Sequence, residues 1–547
     1  MEARNYIKNL NGYAPPNSGR KDFIRLDFNE NTKGCSKKVL DKMKSIDKMY
    51  LSTYPDYSGL NEKVAGYCKV KPNNIVVTNG CDAALKLVAD CFVDKNDSAV
   101  IIEPTFSMYE FFLTIAGAKI KKIKYNKNLS FPTENLLKAV NKKTKIIILC
   151  NPNNPTGTSI DQKSIMRILK KAKNSVVLID EAYGEFSNFT ASNMIEKYGN
   201  LIITRTFSKA FGLAGLRAGY IISNNKNIEI LKKAYGPFEV NSIAKTAIEA
   251  ALDDVAWMKK SIKDVKENKK VLESEFRKLS IEFYPSKANF LLARFDDAEY
   301  IRGRLKENKI LVRGMSRYPL IKNCLRITIG TKKQMRKLAK SLEQILKPAL
   351  IFDMDGVLVD VGRSYRTAIK KTAEFFTGSR VSYGEIQAYK EKTGFNNDWN
   401  ITEAIIKSRG KLIKRGKIID KFQNCYLGND FDGLVKNEKW LLKRKILEKL
   451  SKKYELAIVT GRPKKEAEYA LIRNNVKSFF SVVMALEDVS KDKPNPEGII
   501  KAMNALSVSR AIYFGDTKND KLAASNAKIG FEFVNKNINK IVRGYAK

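Results

Sequence analysis

Residues 176–183 read Val-Val-Leu-Ile-Asp-Glu-Ala-Tyr, a short aliphatic run that ends on a carboxylate. Runs of this length and composition are typical of buried strands. Similar runs alternate with stretches of helical spacing up to about residue 330. We predict strands at 75–78, 99–103, 145–150, 176–180 and 201–204, and helices at 83–92, 134–140 and 162–173. This alternation predicts an α/β fold with a mainly parallel sheet covered by helices.

Polar groups follow several of these predicted strands. Asp180 ends one strand, Asn154 begins an Asn-Pro-Thr-Gly turn, and Lys209 lies in the stretch Thr-Phe-Ser-Lys-Ala-Phe-Gly-Leu-Ala-Gly-Leu-Arg at 206–217. The Thr-Asn-Gly-Cys-Asp turn at 78–82 opens a predicted helix, and backbone N–H groups at a helix start can hold a phosphate. Ligands of open α/β sheets bind at the carboxyl ends of the strands. Taken singly, each feature is more often a cap, a solvated surface charge or a plain turn than part of a binding site.

The composition excludes several mechanisms. The chain has 547 residues and no histidine, which rules out Ser-His-Asp triads, Cys-His dyads and HExxH metal sites. The seven cysteines form no CxxC pair and indicate neither a zinc ribbon nor a disulfide framework. No apolar run approaches the roughly 18 residues that span a bilayer, and the polar N-terminus lacks a secretory core. We therefore expect a cytoplasmic protein.

The chain is strongly basic, since 100 Lys and Arg against 58 Asp and Glu give a net charge of +42. Such a surface attracts either nucleic acid or anionic metabolites. The lysines are spread along the chain, without a basic tail or a nucleic-acid-binding motif, so codon bias is the simpler explanation. We expect small phosphorylated metabolites as partners, and neither a nucleic acid nor a membrane.

Together and in this order, these features resemble the fold-type I aminotransferases that use pyridoxal 5'-phosphate (PLP), and most closely the histidinol-phosphate aminotransferase family. The resemblance covers about residues 5–346. It includes IKNLNGYAPP at 7–16, LDFNENT at 26–32, TYPDYSG at 53–59 and NCLRITIGT at 323–331. It implies a large α/β domain with a small C-terminal subdomain.

The resemblance also implies roles for single residues. Lys209 would hold the cofactor and transfer the substrate proton, and Asp180 would keep the pyridine nitrogen of PLP protonated. Tyr109 would stack on the ring, and Asn154 and Tyr183 would hydrogen-bond the ring hydroxyl. The residues expected around the cofactor phosphate are Gly80, Cys81, Asp82, Thr206, Ser208 and Arg217.

Three further residues match family positions outside the cofactor pocket. Tyr54 matches a residue that the partner subunit supplies, which implies a homodimer. Arg313 and Arg326 match arginines that bind the anionic end of the substrate. Bidentate arginines suit a phosphate and a carboxylate equally, so these two do not decide the substrate.

The chain also departs from the family pattern. Thr32 stands where the family usually has proline, and Cys81-Asp82-Ala83 stands where it usually has Ser or Ala followed by Asp-Glu. These differences leave other activities open. The alternatives are transamination of aromatic or other amino acids, and decarboxylation of a phosphorylated amino acid with the same Lys209.

A domain boundary is predicted near Lys347. The stretch 331–347 has helical apolar spacing, Pro348 ends it, and Ala-Leu-Ile-Phe-Asp-Met-Asp-Gly follows as an apolar run with an acidic turn. We predict one domain at 1–347 and a second at 348–547, with strands at 350–352, 456–460 and 511–514. A polar insert of helical pattern lies at about 362–445.

The second domain carries four short motifs in a fixed order. They are Asp353-Met-Asp355-Gly, Thr460-Gly-Arg, Lys493-Pro and Gly-Asp516-Thr-Lys-Asn-Asp520. In this order they resemble the haloacid dehalogenase (HAD) phosphatases, whose Rossmann-like domain carries a helical cap like the insert.

The resemblance implies that Asp353 is the nucleophile and that Asp355 is the general acid and base. Mg2+, which prefers oxygen ligands, would be held by Asp353, the carbonyl of Asp355, Asp516 and Asp520. Thr460 and Lys493 would bind the phosphoryl group of the substrate.

The fusion of the two domains suggests successive steps on one phosphorylated metabolite. The expected pair forms histidinol phosphate from imidazole-acetol phosphate and glutamate, and then removes its phosphate. The insert resembles the helical cap of phosphoglycolate-type enzymes, and the chain lacks the Cys/His zinc loop of bifunctional bacterial histidinol-phosphate phosphatases. A general or phosphoglycolate-type metabolite phosphatase is therefore the alternative.

Overall fold

The computed structural model describes residues 5–8, 10, 19–390, 397–506, 508–535 and 537–546. The chain divides into two compact units, Met1–Leu342 and Glu343–Lys547. This division falls inside a helix, five residues before the boundary predicted from the sequence. Most of the IKNLNGYAPP stretch, namely 9 and 11–16, lies outside the described residues.

The first unit alternates strands and helices along most of its length. Its strands are β1 (Ile24–Leu26), β2 (Ile75–Thr78), β3 (Ser98–Glu103), β4 (Lys119–Lys124), β5 (Thr144–Cys150), β6 (Val176–Asp180), β7 (Leu201–Thr206), β8 (Gly219–Ser223), β9 (Glu282–Tyr284), β10 (Phe290–Arg294), β11 (Ile310–Gly314) and β12 (Cys324–Thr328). Its helices are α1 (Asn5–Lys8), α2 (Lys37–Lys44), α3 (Lys48–Ser52), α4 (Leu60–Cys68), α5 (Gly80–Phe92), α6 (Met108–Ile115), α7 (Thr133–Ala139), α8 (Gln162–Lys171), α9 (Asn225–Lys233), α10 (Ser242–Leu252), α11 (Val255–Lys278), α12 (Ala298–Glu307) and α13 (Lys332–Leu346).

The described residues form a seven-stranded sheet in the order β2-β8-β7-β6-β5-β3-β4. Its strands are parallel except for β8, which runs antiparallel to both of its neighbours. In the register of this sheet, Asp180 lies between Cys150 of β5 and Thr204 of β7. The carboxyl ends of β5, β6 and β7 therefore meet at one edge, which brings together side chains that are far apart in sequence.

The core of this unit lies between the sheet and its helices. Strands β5 and β6 are buried on both faces, as their continuous aliphatic composition requires. Helix α5 buries an apolar side that includes Ala84, Leu85 and Val88. Helix α8 begins at a capping residue, since the Asp161 side chain accepts a hydrogen bond from the Ser164 N–H.

A second sheet of five strands has the order β1-β11-β12-β10-β9. Strands β10, β11 and β12 pair antiparallel, and the register places Arg313 of β11 opposite Arg326 of β12. Two arginines separated by 13 positions in sequence thus become neighbours on one sheet. This sheet agrees with the small subdomain that the family resemblance implies.

The second unit has its own sheet and a helical insert. Its strands are β13 (Ala349–Phe352), β14 (Val359–Asp360), β15 (Lys439–Trp440), β16 (Glu455–Val459), β17 (Val482–Met484), β18 (Ala511–Gly515) and β19 (Gly530–Phe533). Its helices are α14 (Tyr365–Thr377), α15 (Tyr383–Lys390), α16 (Asp398–Ser408), α17 (Arg415–Tyr426), α18 (Arg444–Lys453), α19 (Lys464–Arg473), α20 (Glu497–Leu506), α21 (Lys518–Asn526) and α22 (Ile538–Ala546).

Five parallel strands form the main sheet of the second unit, in the order β17-β16-β13-β18-β19. Asp353 follows the central strand β13, Thr460 follows β16, and Asp516 follows β18. Helices α14 to α17 come between β13 and β16, and α14 packs against α16 and α17 through buried residues such as Ile369, Ile405 and Phe422. None of the helices in the described part of the chain combines the length and apolar character needed to cross a membrane.

Candidate active sites

A cavity of about 530 Å3 lies at the carboxyl edge of the seven-stranded sheet. Twelve of the residues predicted for the first site line it: Cys81, Asp82, Tyr109, Asn154, Asp180, Tyr183, Thr206, Ser208, Lys209, Arg217, Arg313 and Arg326. They come from both sheets of the first unit, and the sheet register explains why they converge. The cavity also has apolar walls, including Phe28 and Met315.

Lys209 lies in the turn after β7, where its Nζ donates a hydrogen bond to the carbonyl oxygen of Phe28 at 2.8 Å. Burial of the side chain, followed by the nearby guanidinium of Arg326, lowers the pKa of Lys209 from 10.5 to about 8. An amine with this pKa is largely neutral at mildly alkaline pH, so it can act as a nucleophile and as a base.

Asp180 is buried at the end of β6. Its carboxylate accepts hydrogen bonds from the Tyr109 hydroxyl at 2.6 Å and the Ala182 N–H at 2.9 Å, and the Cys81 Sγ lies 3.7 Å away. Burial raises the pKa of Asp180, although these hydrogen bonds oppose the shift. None of these three partners is cationic. The buried Asp180 carboxylate is therefore suited to pair with a cationic group of a ligand.

A candidate phosphate site lies at the start of α5. The Arg217 Nη2 donates to Asp82 Oδ2 at 2.9 Å, and a Cβ atom built on Gly80 would lie only 2.7 Å from the same nitrogen. Gly80 has a φ of +80°, which favours glycine. The backbone and the guanidinium can therefore approach closely only because position 80 has no side chain. Ser208 lies just after the carboxyl end of β7, and its N–H donates to Thr206 Oγ1 at 3.0 Å.

Arg326 is buried and fixed by the residues around it. Its Nη1 donates to Asn154 Oδ1 at 2.5 Å, and its Nη2 donates to the carbonyl oxygen of Asp27. Tyr183 is oriented by a residue that the sequence analysis did not assign, since Asn29 Nδ2 donates to its hydroxyl at 2.9 Å. Asn29 lies in the LDFNENT stretch, which belongs to the family resemblance. The sequence did not predict the contact between Asn29 and Tyr183.

Two of the predicted residues do not line the cavity. Gly80 adjoins it through Arg217, as described above. Tyr54 is 76% exposed and stacks on Phe238, with 4.3 Å between the ring centroids. Arg317 and Tyr318, which the sequence analysis did not select, do line the cavity, and they lie in the turn between Arg313 and Arg326.

A second cavity, of about 820 Å3, lies at the carboxyl edge of the five-stranded parallel sheet in the second unit. The predicted residues Asp353, Asp355, Thr460, Lys493, Asp516 and Asp520 all line it. Residues of the helical insert, among them Arg366, Lys390 and Trp399, line it too. The cavity thus lies where the insert meets the strand ends.

Carboxylate oxygens of Asp353, Asp516 and Asp520 lie within 4.8 Å of one another. Burial, followed by the neighbouring Asp520, raises the pKa of Asp516 to about 7. Lys493 partly neutralises the cluster, because its Nζ lies 2.9 Å from Asp353 Oδ1 and 2.7 Å from Asp520 Oδ1. Three oxygen donors at this spacing suit a hard divalent cation such as Mg2+.

Asp355 lies beside this cluster, but its side chain forms a different contact. The Arg462 Nε donates to Asp355 Oδ1 at 2.5 Å. Thr460 is buried, and its Oγ1 accepts the Arg462 N–H at 3.2 Å. Gly356 has a φ of +74°, and a Cβ atom there would lie 2.0 Å from Asp516 Oδ2, so glycine permits the close approach of the two acidic turns.

The fold and these two sites define a class of protein, and two family models agree with it. The chain belongs to the aminotransferase class I and II family, which matches residues 21–342. The haloacid dehalogenase-like hydrolase family matches residues 350–534. The chain is therefore an enzyme in which a PLP-dependent aminotransferase is fused to a HAD-type hydrolase, which confirms the predicted families and fold.

Individual relatives are similar to the chain over its aminotransferase fold. The histidinol-phosphate aminotransferase of Caldanaerobacter subterraneus subsp. tengcongensis is 37% identical over 349 residues, which is 63% of this chain and 98% of the relative. The structure of histidinol-phosphate aminotransferase from Sinorhizobium meliloti in complex with pyridoxal-5'-phosphate is 25% identical, covers 62% of this chain and 95% of its own, and has a TM-score of 0.57. The histidinol-phosphate aminotransferase from Clostridium acetobutylicum is 27% identical, with 58% and 98% covered and a TM-score of 0.55.

Proposed function

We propose that the chain is a bifunctional enzyme of histidine biosynthesis. The first unit would transfer an amino group from glutamate to imidazole-acetol phosphate, which yields histidinol phosphate and 2-oxoglutarate. The second unit would then hydrolyse histidinol phosphate to histidinol and inorganic phosphate. The observation that carries the first half is the Lys209 amine of lowered pKa in one cavity with Asp180 and Arg326, in a chain that is 37% identical over 349 residues to a histidinol-phosphate aminotransferase.

The residues of the first cavity fit PLP. Lys209 offers an amine for its aldehyde, Asp180 a buried anion for its pyridine nitrogen, and Arg217 with the start of α5 a site for its phosphate. PLP, when bound, supplies an electron sink for the negative charge that develops on the substrate carbon. Tyr109 would lie against the ring while its hydroxyl holds Asp180, and Asn154 and Tyr183 would orient the ring hydroxyl.

Lys209 would carry the proton during transamination. In its neutral form the Nζ removes a proton from the substrate carbon, and the resulting ammonium returns a proton to the cofactor side. The lowered pKa of Lys209 supports both directions of transfer, because neither protonation state is strongly favoured near pH 8. The carbonyl oxygen of Phe28, 2.8 Å from the Nζ, would keep the amine oriented between transfers.

Arg313 and Arg326 would bind the anionic group of each substrate in turn. Their opposed positions on β11 and β12 allow two guanidinium groups to approach one phosphate or carboxylate. The Asn154 and Asp27 contacts would hold Arg326 in place before the substrate arrives.

A homodimer is part of this proposal. Tyr54 is exposed and closely follows the exposed apolar residues Met49 and Leu51 of α3 in the chain, so this segment presents apolar area that a second copy can cover. In the dimer, Tyr54 would reach the cofactor site of the partner subunit. The expected change for Tyr54→Phe is weaker PLP retention, measured by gel filtration in phosphate-free buffer.

The second unit would act by covalent catalysis. An oxygen of Asp353 attacks the phosphorus and the ester P–O bond breaks, while Asp355 protonates the departing alkoxide oxygen. Asp355 then takes a proton from water, whose oxygen attacks the phosphorus and releases phosphate and Asp353. Asp353, Asp516 and Asp520, with the carbonyl of Asp355, would hold Mg2+, which supplies charge neutralisation when bound. Lys493 and Thr460 would bind phosphoryl oxygens.

Product analysis tests both halves. The full-length chain is incubated with PLP, Mg2+, imidazole-acetol phosphate and glutamate, and 2-oxoglutarate, histidinol and phosphate are quantified. Lys209→Ala should abolish 2-oxoglutarate formation and still release phosphate from added histidinol phosphate, whereas Asp353→Asn should accumulate histidinol phosphate. Release of CO2 instead of 2-oxoglutarate, or phosphate release by Asp353→Asn at the normal rate, would contradict the respective half.

A further inference from the structure

Arg462 is a buried arginine in the second unit, with a side chain that is 1% exposed. It lies between two carboxylates. Its Nε donates to Asp355 Oδ1 at 2.5 Å, and its Nη1 and Nη2 donate to Glu438 Oε2 and Oε1 at 3.0 and 3.1 Å. The guanidinium is thus shared between the proposed acid–base residue and Glu438, a residue of the insert that follows its helix α17.

The turn that carries Arg462 is itself held firmly. The Arg462 N–H donates to Thr460 Oγ1 at 3.2 Å, and its carbonyl oxygen accepts from the Leu486 N–H at 2.9 Å. The guanidinium also lies over the ring of Tyr365, 4.9 Å from the centroid. A buried guanidinium with a fixed backbone and a stacked ring has little rotamer freedom, so it can fix the orientation of a carboxylate.

Further hydrogen bonds connect this arginine to the helical insert. Tyr426 of α17 donates to Glu438 Oε1 at 3.0 Å, and Ser364 donates to the same oxygen at 2.7 Å. The Tyr365 hydroxyl donates to Glu466, and Gln423 Nε2 donates to Glu466 at 3.0 Å. Since Glu466 belongs to α19, the network joins the insert to the sheet domain around Arg462.

We infer that Arg462 is a positioning residue, which holds Asp355 through Oδ1 so that Oδ2 carries and delivers the proton to the leaving oxygen. The inference rests on the hydrolase function proposed above. Glu438, itself held by Tyr426 and Ser364, fixes the other side of the guanidinium. The orientation of the general acid therefore depends on the packing of the insert against the sheet domain.

A positioning role for Arg462 and a purely stabilising role predict different effects on the rate of ester cleavage. A misoriented Asp355 would impair proton donation to the leaving group, but it would leave the attack of Asp353 on phosphorus intact. The cost should thus be large for an ester whose leaving group needs a proton and small for one that does not. A stabilising ion pair alone would affect both esters equally.

Phenyl phosphate and p-nitrophenyl phosphate form a suitable pair, because they have closely similar shapes and p-nitrophenolate leaves without protonation. Cleavage is measured for the full-length chain with Mg2+ under single-turnover conditions, so that only the first step is observed. Since general acid catalysis contributes about 10²–10⁴-fold, Arg462→Lys should lose at least about tenfold more rate on phenyl phosphate than on p-nitrophenyl phosphate.

A second variant tests the same role without leaving an unpaired buried charge that could unfold the domain. Removing Arg462 alone leaves the buried Glu438 without its cation, which is destabilising. The double variant Arg462→Met with Glu438→Gln removes both charges, and it should show a difference between the two esters of about 100-fold. Arg473→Lys is the matched control, because Arg473 donates to the carbonyl oxygens of Val435 and Lys436 in the insert without contacting Asp355. It should leave the ratio of the two rates unchanged.

The outcomes separate this inference from the function on which it rests. If the wild-type chain cleaves both esters and Asp353→Asn cleaves neither, the hydrolase assignment holds. Equal losses on the two esters in the Arg462 variants, or no loss, would then overturn the positioning role alone. A wild-type chain that cleaves neither ester with Mg2+ would overturn both.

Discussion

Replacing Arg326 by methionine should raise the pKa of Lys209 in the cofactor-free chain. The pKa is lowered from 10.5 to about 8 by burial first and by Arg326 second. A neighbouring cation disfavours a second positive charge, so removing it favours the ammonium form. Burial persists in the variant, and we therefore expect the pKa to rise by about one unit, or about 1.4 kcal/mol, rather than to return to its ordinary value.

The assay is the rate at which the cofactor-free chain takes up PLP as a function of pH, followed by the absorbance of the bound cofactor. Uptake should increase through a midpoint near pH 8 in the wild type, because only the neutral amine reacts. In Arg326→Met the midpoint should lie near pH 9, about one unit higher. Arg313→Met is the control, since Arg313 lines the same cavity but is not among the main groups that shift the pKa of Lys209. A wild-type midpoint above pH 10, or an unchanged midpoint in Arg326→Met, would refute this reasoning.

Three further predictions concern the two sites. Asp180→Asn should lower the rate of transamination by at least about 100-fold with the fold retained, because it removes the buried anion that would pair with the pyridine nitrogen. A loss of less than about tenfold would argue against that pairing. Gly80→Ala should displace Arg217 and weaken PLP retention on dialysis about tenfold, or about 1.4 kcal/mol. Gly66→Ala is the control and should not weaken retention, because a Cβ atom at position 66 meets no other atom within 4 Å. Burial raises the pKa of Asp516 to about 7, so Mg2+ affinity measured by calorimetry should increase between pH 6 and 8 as this carboxyl loses its proton. A flat profile would contradict the proposed role of Asp516 as a ligand.

Most of the parallel strands and their helices could be predicted because their sequence patterns are local. The buried runs of β2 and β6 begin and end where the aliphatic residues predict, and α8 begins at the predicted Gln162. Strand β8 was missed, since its five residues follow a glycine-rich loop and its antiparallel pairing with β2 and β7 is a tertiary property. No strand of the five-stranded sheet in the first unit was predicted, and the family resemblance implied only a small C-terminal subdomain there.

The candidate sites show the same division between local and distant information. Residues such as Asp180 and Asp353 could be selected because each stands at a strand end with a carboxylate. The contacts that orient them could not be selected in this way. Asn29 meets Tyr183 across 154 positions, and Arg462 meets Asp355 across 107, so both pairings depend on how separate strands and helices pack.

Two successive reactions at two independent sites of one chain are the core of the proposed function. The most direct measurement is a time course of 2-oxoglutarate, histidinol phosphate, histidinol and inorganic phosphate from imidazole-acetol phosphate and glutamate. The wild-type chain should form 2-oxoglutarate, histidinol and phosphate in equal final amounts, with histidinol phosphate as a transient, and an equimolar mixture of Lys209→Ala and Asp353→Asn should reach the same products. A chain that forms 2-oxoglutarate but leaves histidinol phosphate unhydrolysed in the presence of Mg2+ would contradict the account.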